Sequence, residues 1–383
     1  MSTTTDRLAE HVAAIPLLDH HCHAPLRLPQ AIDGPALRAP FTESTNQDVR
    51  VGDVPQTFAY RAMIHWLSGL LGCDPTEDAV LRARAGYTPE AYQRLLADDA
   101  VLSTLYADYL FAEGHSYTPH EWSSLTGRPV RPVLRIESFA ERLLPSAASW
   151  DSFRHEFTES LAASHSRGVV AFKSIAAYRS GLEIQRVDAS EAAAAFDEVR
   201  AEIEEAGPVR LTNKPLIDAL IWQTLEVASE LGVPFQFHVG LGDDDVYLPT
   251  SNPTLMRAVF QEPRYSGVPI VLLHNYPYVR EAAYLASIYP NAYVDLGLTI
   301  PLAGPDSPAL LRQALGLAPV SKVLASSDGH GVPEFQWLAA RMWRRALVRV
   351  LADVVDEGML GDAEATEVAA MVLHATAELI YPA

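Results

Sequence analysis

Between residues 15 and 327 the chain alternates short apolar runs, rich in Val, Ile, Leu and Phe, with longer stretches whose apolar residues recur at helical spacing among Ala, Glu and Arg. That alternation is the pattern of βα units around a parallel sheet. The apolar runs fall at 15–19, about 101–106, 132–137, 169–173, 234–238, 269–274, 292–296 and 323–327, and eight is the number a closed barrel requires. Helical periodicity covers 90–98, 150–166, 190–206, 215–231, 253–260 and 278–289, and two closing helices are expected at 334–354 and 363–380. The stretch 25–88 breaks the rhythm. It is far longer than a βα loop of about 2–6 residues, carries its own helix near 57–71, and reads as an insertion able to cover the mouth of a barrel. No internal repeat, low-complexity tract or Pro-rich linker divides the chain. The expected fold is therefore α/β: one domain over 1–383, a (β/α)8 TIM barrel with a helical insertion after strand 1 and C-terminal closing helices.

Composition narrows the function. With 49% hydrophobic and 20% charged residues among 383, the chain is too apolar for disorder. No run of about 18 apolar residues is present, the first ten residues are polar with two acids, and two cysteines, Cys22 and Cys73, cannot build a disulfide framework. These features predict a cytoplasmic protein. A net charge of −19 speaks against nucleic acid and anionic membranes, both of which need basic patches. The expected partner is a small-molecule substrate, with a homo-oligomer left open.

Residues able to do chemistry sit at the ends of the apolar runs. The first run leads into Leu18-Asp19-His20-His21-Cys22-His23. His21 and His23 are two apart, so on an extended chain they project to one side and two imidazoles can meet one metal ion. Taken alone, the pair is a weak signal and reads more readily as a polar turn. The runs 235–238 and 271–274 end on His238 and His274, and Asp328 follows the run 323–327. Strand ends in a barrel share one rim, where active sites are built, so four histidines and one aspartate are expected to converge. Buried imidazoles and a carboxylate need partners, because unpaired burial costs several kcal/mol; a divalent metal supplies one. His11, His155, His165 and His374 fall within helical patterns and read as ordinary helix residues.

Lys173 is one of only three lysines, against 26 arginines, and it ends the apolar run Val169-Val170-Ala171-Phe172. A lysine in a low-dielectric rim has its pKa lowered. Three readings stand: a neutral amine that takes up carbon dioxide to form a carbamate bridging two metals, an ammonium that binds an anionic substrate, or a snorkelling side chain.

With these strand ends in place, the sequence resembles the amidohydrolase superfamily of metal-dependent (β/α)8-barrel hydrolases. The runs Phe172-Lys173-Ser174-Ile175, Tyr178-Arg179-Ser180-Gly181-Leu182 and Ser327-Asp328-Gly329-His330-Gly331-Val332-Pro333-Glu334, with Leu134-Arg135-Ile136-Glu137, are similar to the branch that forms the amino-terminal half of nodulin/glutamine-synthetase-like (FluG-like) fusion proteins. The resemblance implies metal ligands at His21, His23, Lys173, His238, His274 and Asp328. It also implies one or two divalent ions, zinc first, with manganese or iron as alternatives. The chain stops where the fused synthetase-like domain would begin, and related branches keep one metal and no carbamate.

On this reading a bound divalent ion lowers the pKa of water towards about 7. Asp328 shuttles the proton from the attacking water to the leaving amine, with His274 beside it and His330 as electrophile or orienting group. Arg135, Glu137, Tyr178, Arg179 and Asn275 are the expected substrate contacts, since a guanidinium reads a carboxylate bidentately; each arginine is equally compatible with a solvated surface role. The reaction expected is hydrolysis of a small-molecule C–N amide bond, and the synthetase-fused relatives point by analogy to a γ-glutamyl-type amide. The competing readings are a mononuclear decarboxylase or isomerase on the same barrel, a non-catalytic metal-binding sensor, and a metal phosphoesterase, for which no Gly-rich phosphate cradle is present.

Overall fold

The computed structural model describes residues 3–110, 112 and 114–382. All eight apolar runs are strands of one parallel sheet, in sequence order: β1 (Leu17–Cys22), β2 (Leu102–Asp108), β3 (Val130–Arg135), β4 (Ala171–Ser174), β5 (Phe235–Val239), β6 (Ile270–His274), β7 (Ala292–Asp295) and β8 (Val323–Leu324). Helices pack around them, giving a (β/α)8 barrel. β8 is two residues long because the next N–H, that of Ala325, donates to the carbonyl of Val372 in the C-terminal segment instead of to a neighbouring strand. The barrel closes past β8, where Asp328 N–H donates to the His21 carbonyl at 3.0 Å and His23 N–H to the Gly329 carbonyl at 2.7 Å. Closure of the sheet thus sets the two ends of the chemistry-bearing sequence side by side.

Three expectations change. The third strand stops at Arg135, and Glu137 lies in the first turn of the helix Ile136–Leu143. The last closing helix is interrupted: Asp362–Ala370 passes through a wide π-turn, Met371–Ala375, before Thr376–Ile380. That turn redirects the chain so that Ala377, Ile380 and Tyr381 pack with Leu18, Tyr106, Val271 and Leu273 in a cluster separate from the main core between sheet and helices. Finally, a register irregularity between Asp19 and Cys22 turns His20 and His21, which strict alternation would send to opposite faces, towards the same interior groups.

The insertion is helical, as expected, with Phe58–Leu71 flanked by Gly34–Arg38 and Glu77–Ala85. A bidentate Arg38–Glu77 pair, 2.6 and 2.8 Å, braces it internally. Arg84 anchors it to the barrel: its Nε donates to Glu334 Oε1 at 2.6 Å, and the Tyr92 hydroxyl donates to the same oxygen at 2.9 Å. Arg84 and Glu334 are almost fully buried, and Glu334 opens the helix Pro333–Asp356 just after the Asp328 loop. Among the described residues, no helix is long and apolar enough to cross a membrane.

Removing one partner of a buried ion pair strands the other charge. Arg84→Met is therefore expected to cost about 3–5 kcal/mol in urea unfolding, and the double change Arg84→Met with Glu334→Leu to recover most of it. Equal destabilisation by single and double changes would show that packing, not charge, dominates the anchor.

Candidate metal centre

The closing bonds between β1 and the segment after β8 bring His21, His23 and Asp328 together. His21 Nε2 lies 3.1 Å and His23 Nε2 3.2 Å from Asp328 Oδ1, with His274 Nε2 3.7 Å from Oδ2. The tautomers follow from what stands behind each ring. Gln236 donates its amide N–H groups to the His20 carbonyl and the Tyr381 hydroxyl, at 2.9 and 2.8 Å, so its Oε1 is the atom facing His21 Nδ1 at 2.9 Å. His21 Nδ1 must carry the proton. His23 Nδ1 faces the Asp108 carbonyl at 3.2 Å, an obligate acceptor, and is protonated for the same reason. Both rings therefore turn lone pairs towards a carboxylate oxygen that accepts no hydrogen bond. Three electron pairs facing one another repel, and the Lys173 amine, 3.0 Å from His21 Nε2, meets only one of them; a cation among them converts all three contacts to attraction. The donor set, two imidazole nitrogens and a carboxylate oxygen within 4.8 Å of one another, suits a divalent metal.

The surroundings hold this geometry. Asp19 accepts from the Ser327 N–H at 2.9 Å, fixing the residue before Asp328. His274, Asn275 and Asp328 adopt left-handed backbone, φ 69°, 65° and 50°, a conformation that costs non-glycine residues about 1–2 kcal/mol each. Asn275 secures that turn by donating Nδ2 to the Leu272 and Asp295 carbonyls at 2.6 and 2.8 Å. Asp295 in turn accepts from the His274 N–H at 3.3 Å.

A family model described as Amidohydrolase matches residues 120–382. The chain belongs to the amidohydrolase family. It is 31% identical to protein fluG of Emericella nidulans over 99% of its own length, and spans about half, 47%, of that relative. Among solved structures it is similar to a Lactobacillus casei protein provisionally described as a metal-dependent hydrolase, with 30% identity, a TM-score of 0.88, and 97% and 96% of the two chains covered. A uronate isomerase of Thermotoga maritima shares the fold, with 17% identity, a TM-score of 0.72, and 99% and 97% covered.

In this amidohydrolase the remaining strand-end residues fall around the cluster. Lys173 Nζ is 3.0 Å from His21 Nε2 and 3.6 Å from Asp108 Oδ2. His238 donates Nε2 to the Leu241 carbonyl at 2.9 Å, which leaves its lone pair on Nδ1, and its ring lies 4.6 Å from that of His274 and 4.3 Å from that of Tyr178. His330 lines the cavity with Nδ1 3.0 Å from the Asp328 carbonyl. Above the cluster opens a cavity of about 500 Å³ whose wall includes Arg135, Tyr178 and Arg179.

The expected substrate contacts divide on inspection. Arg135 is already spent, placing Nε and Nη2 on Asp108 Oδ2 at 2.8 and 2.6 Å, and Arg179 is held by Glu141 and the Leu211 carbonyl. Glu137 and Asn275 do not line the cavity. Glu137 is buried, accepting from Ser174 Oγ and the Ile175 N–H, because the chain enters a helix before reaching it; Asn275 holds the backbone under His274. Sequence reasoning missed Gln236, Asp108 and Tyr381. Asp108 had a legible signal, an acid ending an apolar run at the same rim, whereas Gln236 and Tyr381 are visible only once the barrel is closed.

Burial keeps the imidazoles neutral. It pushes His21 from the ordinary 6.5 down to about 4, with Lys173 adding to the effect, and lowers His23, His238 and His274. Burial also lowers Lys173, against the opposing pull of Asp108.

Two outcomes follow. In metal-stripped protein the buried imidazoles hold fewer protons in the fold than in the unfolded chain between about pH 6.5 and 4, so their contribution to stability falls as pH drops through that window, while Asp19, raised by burial to about 7, works in the opposite sense. His21 alone contributes up to about 1.4 kcal/mol per pH unit. The margin by which the urea midpoint of the protein exceeds that of His21→Gln should shrink as pH falls across it, and a constant margin would mean that the folded His21 ring is protonated. Gln236→Leu, which frees the His21 tautomer, should weaken metal affinity about 10–100-fold in chelator competition while leaving the fold intact.

Proposed function

We propose that this amidohydrolase is a metal-dependent hydrolase that cleaves the C–N amide bond of a small molecule, with a γ-glutamyl-type amide as the substrate class. The observation that carries the reading is the convergence of the His21 and His23 lone pairs on Asp328 Oδ1. His21, His23 and Asp328 would hold a divalent ion, zinc by preference for this donor set, with His238 through Nδ1 and Lys173 as a carbamate available to complete the site or hold a second ion; His274, whose Nδ1 accepts the Leu298 N–H at 3.4 Å, would keep its Nε2 proton towards Asp328. When bound, such an ion lowers the pKa of water and polarises a carbonyl oxygen.

The chain's own groups do the rest. Asp328 takes a proton from the water that attacks the amide carbon and delivers it to the nitrogen as the C–N bond breaks, releasing a carboxylic acid and an amine. His330, tied to the Asp328 carbonyl, keeps that loop in place. Tyr178 packs at a tilt against His238 and walls the cavity, and the insertion roofs it with Pro40 and Thr42, limiting access of bulk water.

One observation favours a second reading. Lys173 Nζ already has His21 and Asp108 as partners, an arrangement suited to a bare ammonium. A single-ion site of that kind fits a mononuclear decarboxylase or isomerase on the same barrel.

Elemental analysis of the native protein with a density map at Lys173 separates the two: two ions per chain and extra density on the amine select the binuclear hydrolase, and one ion with a bare amine selects the other. Metal-loaded protein should turn over an amide panel and leave carboxylic acids and uronates untouched. Asp328→Asn should lower kcat on amides about 10²–10⁴-fold at saturating metal.

A further inference from the structure

The insertion does more than roof the cavity. Most charged groups in the wall are spent on protein partners: Arg135 on Asp108, Arg179 on Glu141 and Arg210 on Asp245, while Asp243 accepts the Asp245 N–H. Asp243 has only that backbone bond, Glu43 makes no hydrogen bond or ion pair with any described residue, and Arg50 donates Nε to the Ser44 carbonyl at 2.7 Å but pairs with no described acid. Glu43 and Arg50 are half-buried and stand seven positions apart on one segment, yet they do not pair with each other.

Glu43 and Arg50 thus line one cavity without pairing, and neither has a bonded counter-charge among the described residues, although His330 and Lys173 act on Glu43 at longer range. Burial pushes the Glu43 carboxyl above its ordinary value, with His330 and Lys173 opposing and Asp328 and Asp243 adding to the effect. Tyr178 reports the same field: burial, then the Glu43 charge, pushes its phenol well up, so its hydroxyl stays a donor. A neutral ligand would leave both charges uncompensated, and a plain carboxylate would satisfy Arg50 only. A group that carries ammonium and carboxylate together satisfies both.

We propose that Glu43 and Arg50 form a head-group subsite for a free α-amino acid, Glu43 accepting from its ammonium and Arg50 donating to its carboxylate. The amide is then carried on the amino-acid side chain and reaches the metal centre below; this last step rests on the hydrolase reading, whereas the subsite itself does not.

Four ligands test it, all built on the γ-butylamide of L-glutamate with CH2–O in place of the amide CO–NH so that none is cleaved: the parent, its desamino form, its descarboxy form, and the form lacking both charges. Titrated calorimetrically into metal-replete protein, the parent should bind at least about tenfold more tightly than either singly charged form, the scale of one charge-assisted hydrogen bond. Glu43→Gln should abolish the preference for the ammonium and spare that for the carboxylate, and Arg50→Gln the reverse. Neither should alter binding of the uncharged ligand, which also checks that the variants fold. Equal affinity for the parent and desamino forms, or variants that shift all four ligands alike, would overturn the proposal. Turnover of the corresponding amides is read separately. Charge discrimination without cleavage leaves the subsite standing and sinks the hydrolase; cleavage of N-butylbutanamide as readily as the glutamyl amide does the opposite.

Discussion

The site depends on one electrostatic arrangement: two neutral imidazoles and a carboxylate aim their lone pairs at a common point. Left to themselves these groups repel, so the fold must hold them there against their mutual preference. It does so with hydrogen bonds that admit only one direction. A carbonyl behind His23 and an amide oxygen behind His21 fix both tautomers, and the bonds that close the barrel from Asp328 to His21 and from His23 to Gly329 fix the spacing. Barrel closure and assembly of the centre are consequently one event.

That coupling explains why so many buried polar groups gather at this end of the barrel. Asp19, Gln236, Asn275 and Asp295 are fully buried, and each is used to hold a ligand-bearing backbone or ring. Their burial is a cost that hydrophobic residues would not incur. Left-handed backbone at His274 and Asp328 adds to it. The large apolar core between sheet and helices offsets both, and the C-terminal tail contributes from the other side by delivering the Tyr381 hydroxyl to Gln236. The insertion answers a different demand. It is pinned through a buried Arg84–Glu334 pair to the helix that follows the Asp328 loop, so the roof of the cavity and the floor of the site share an anchor.

The eight strands were legible because parallel strands in a covered barrel are apolar on both faces and stand out as short continuous runs. Helix ends were legible to within a residue or two where a cap and a glycine bracket the periodicity, as at Lys214–Leu231, with Asn213 before it and Gly232 after. The helix Trp150–Ser166 matches its expected span. The end of β3 was misjudged because Leu134-Arg135-Ile136-Glu137 keeps an alternating pattern while its backbone has already turned helical. Among candidate site residues, those ending strands on a histidine or aspartate came together. Glu137 and Asn275 did not face the cavity, because their polarity serves buried backbone bonds rather than a ligand.

The order of residues along this chain determined the barrel, the rim on which polar residues gather and the identity of the histidines and aspartate that end its strands, since period, length and residue type are properties of local sequence. It could not determine which nitrogen each ring offers, which arginines are already paired, or that Glu43 and Arg50 share a cavity without sharing a bond. Those are decided by contacts between positions scores or hundreds of residues apart, such as His21 with Gln236 and Asp328. Whether a polar group is spent or available depends on what closes against it in space, and no pattern along the chain encodes that.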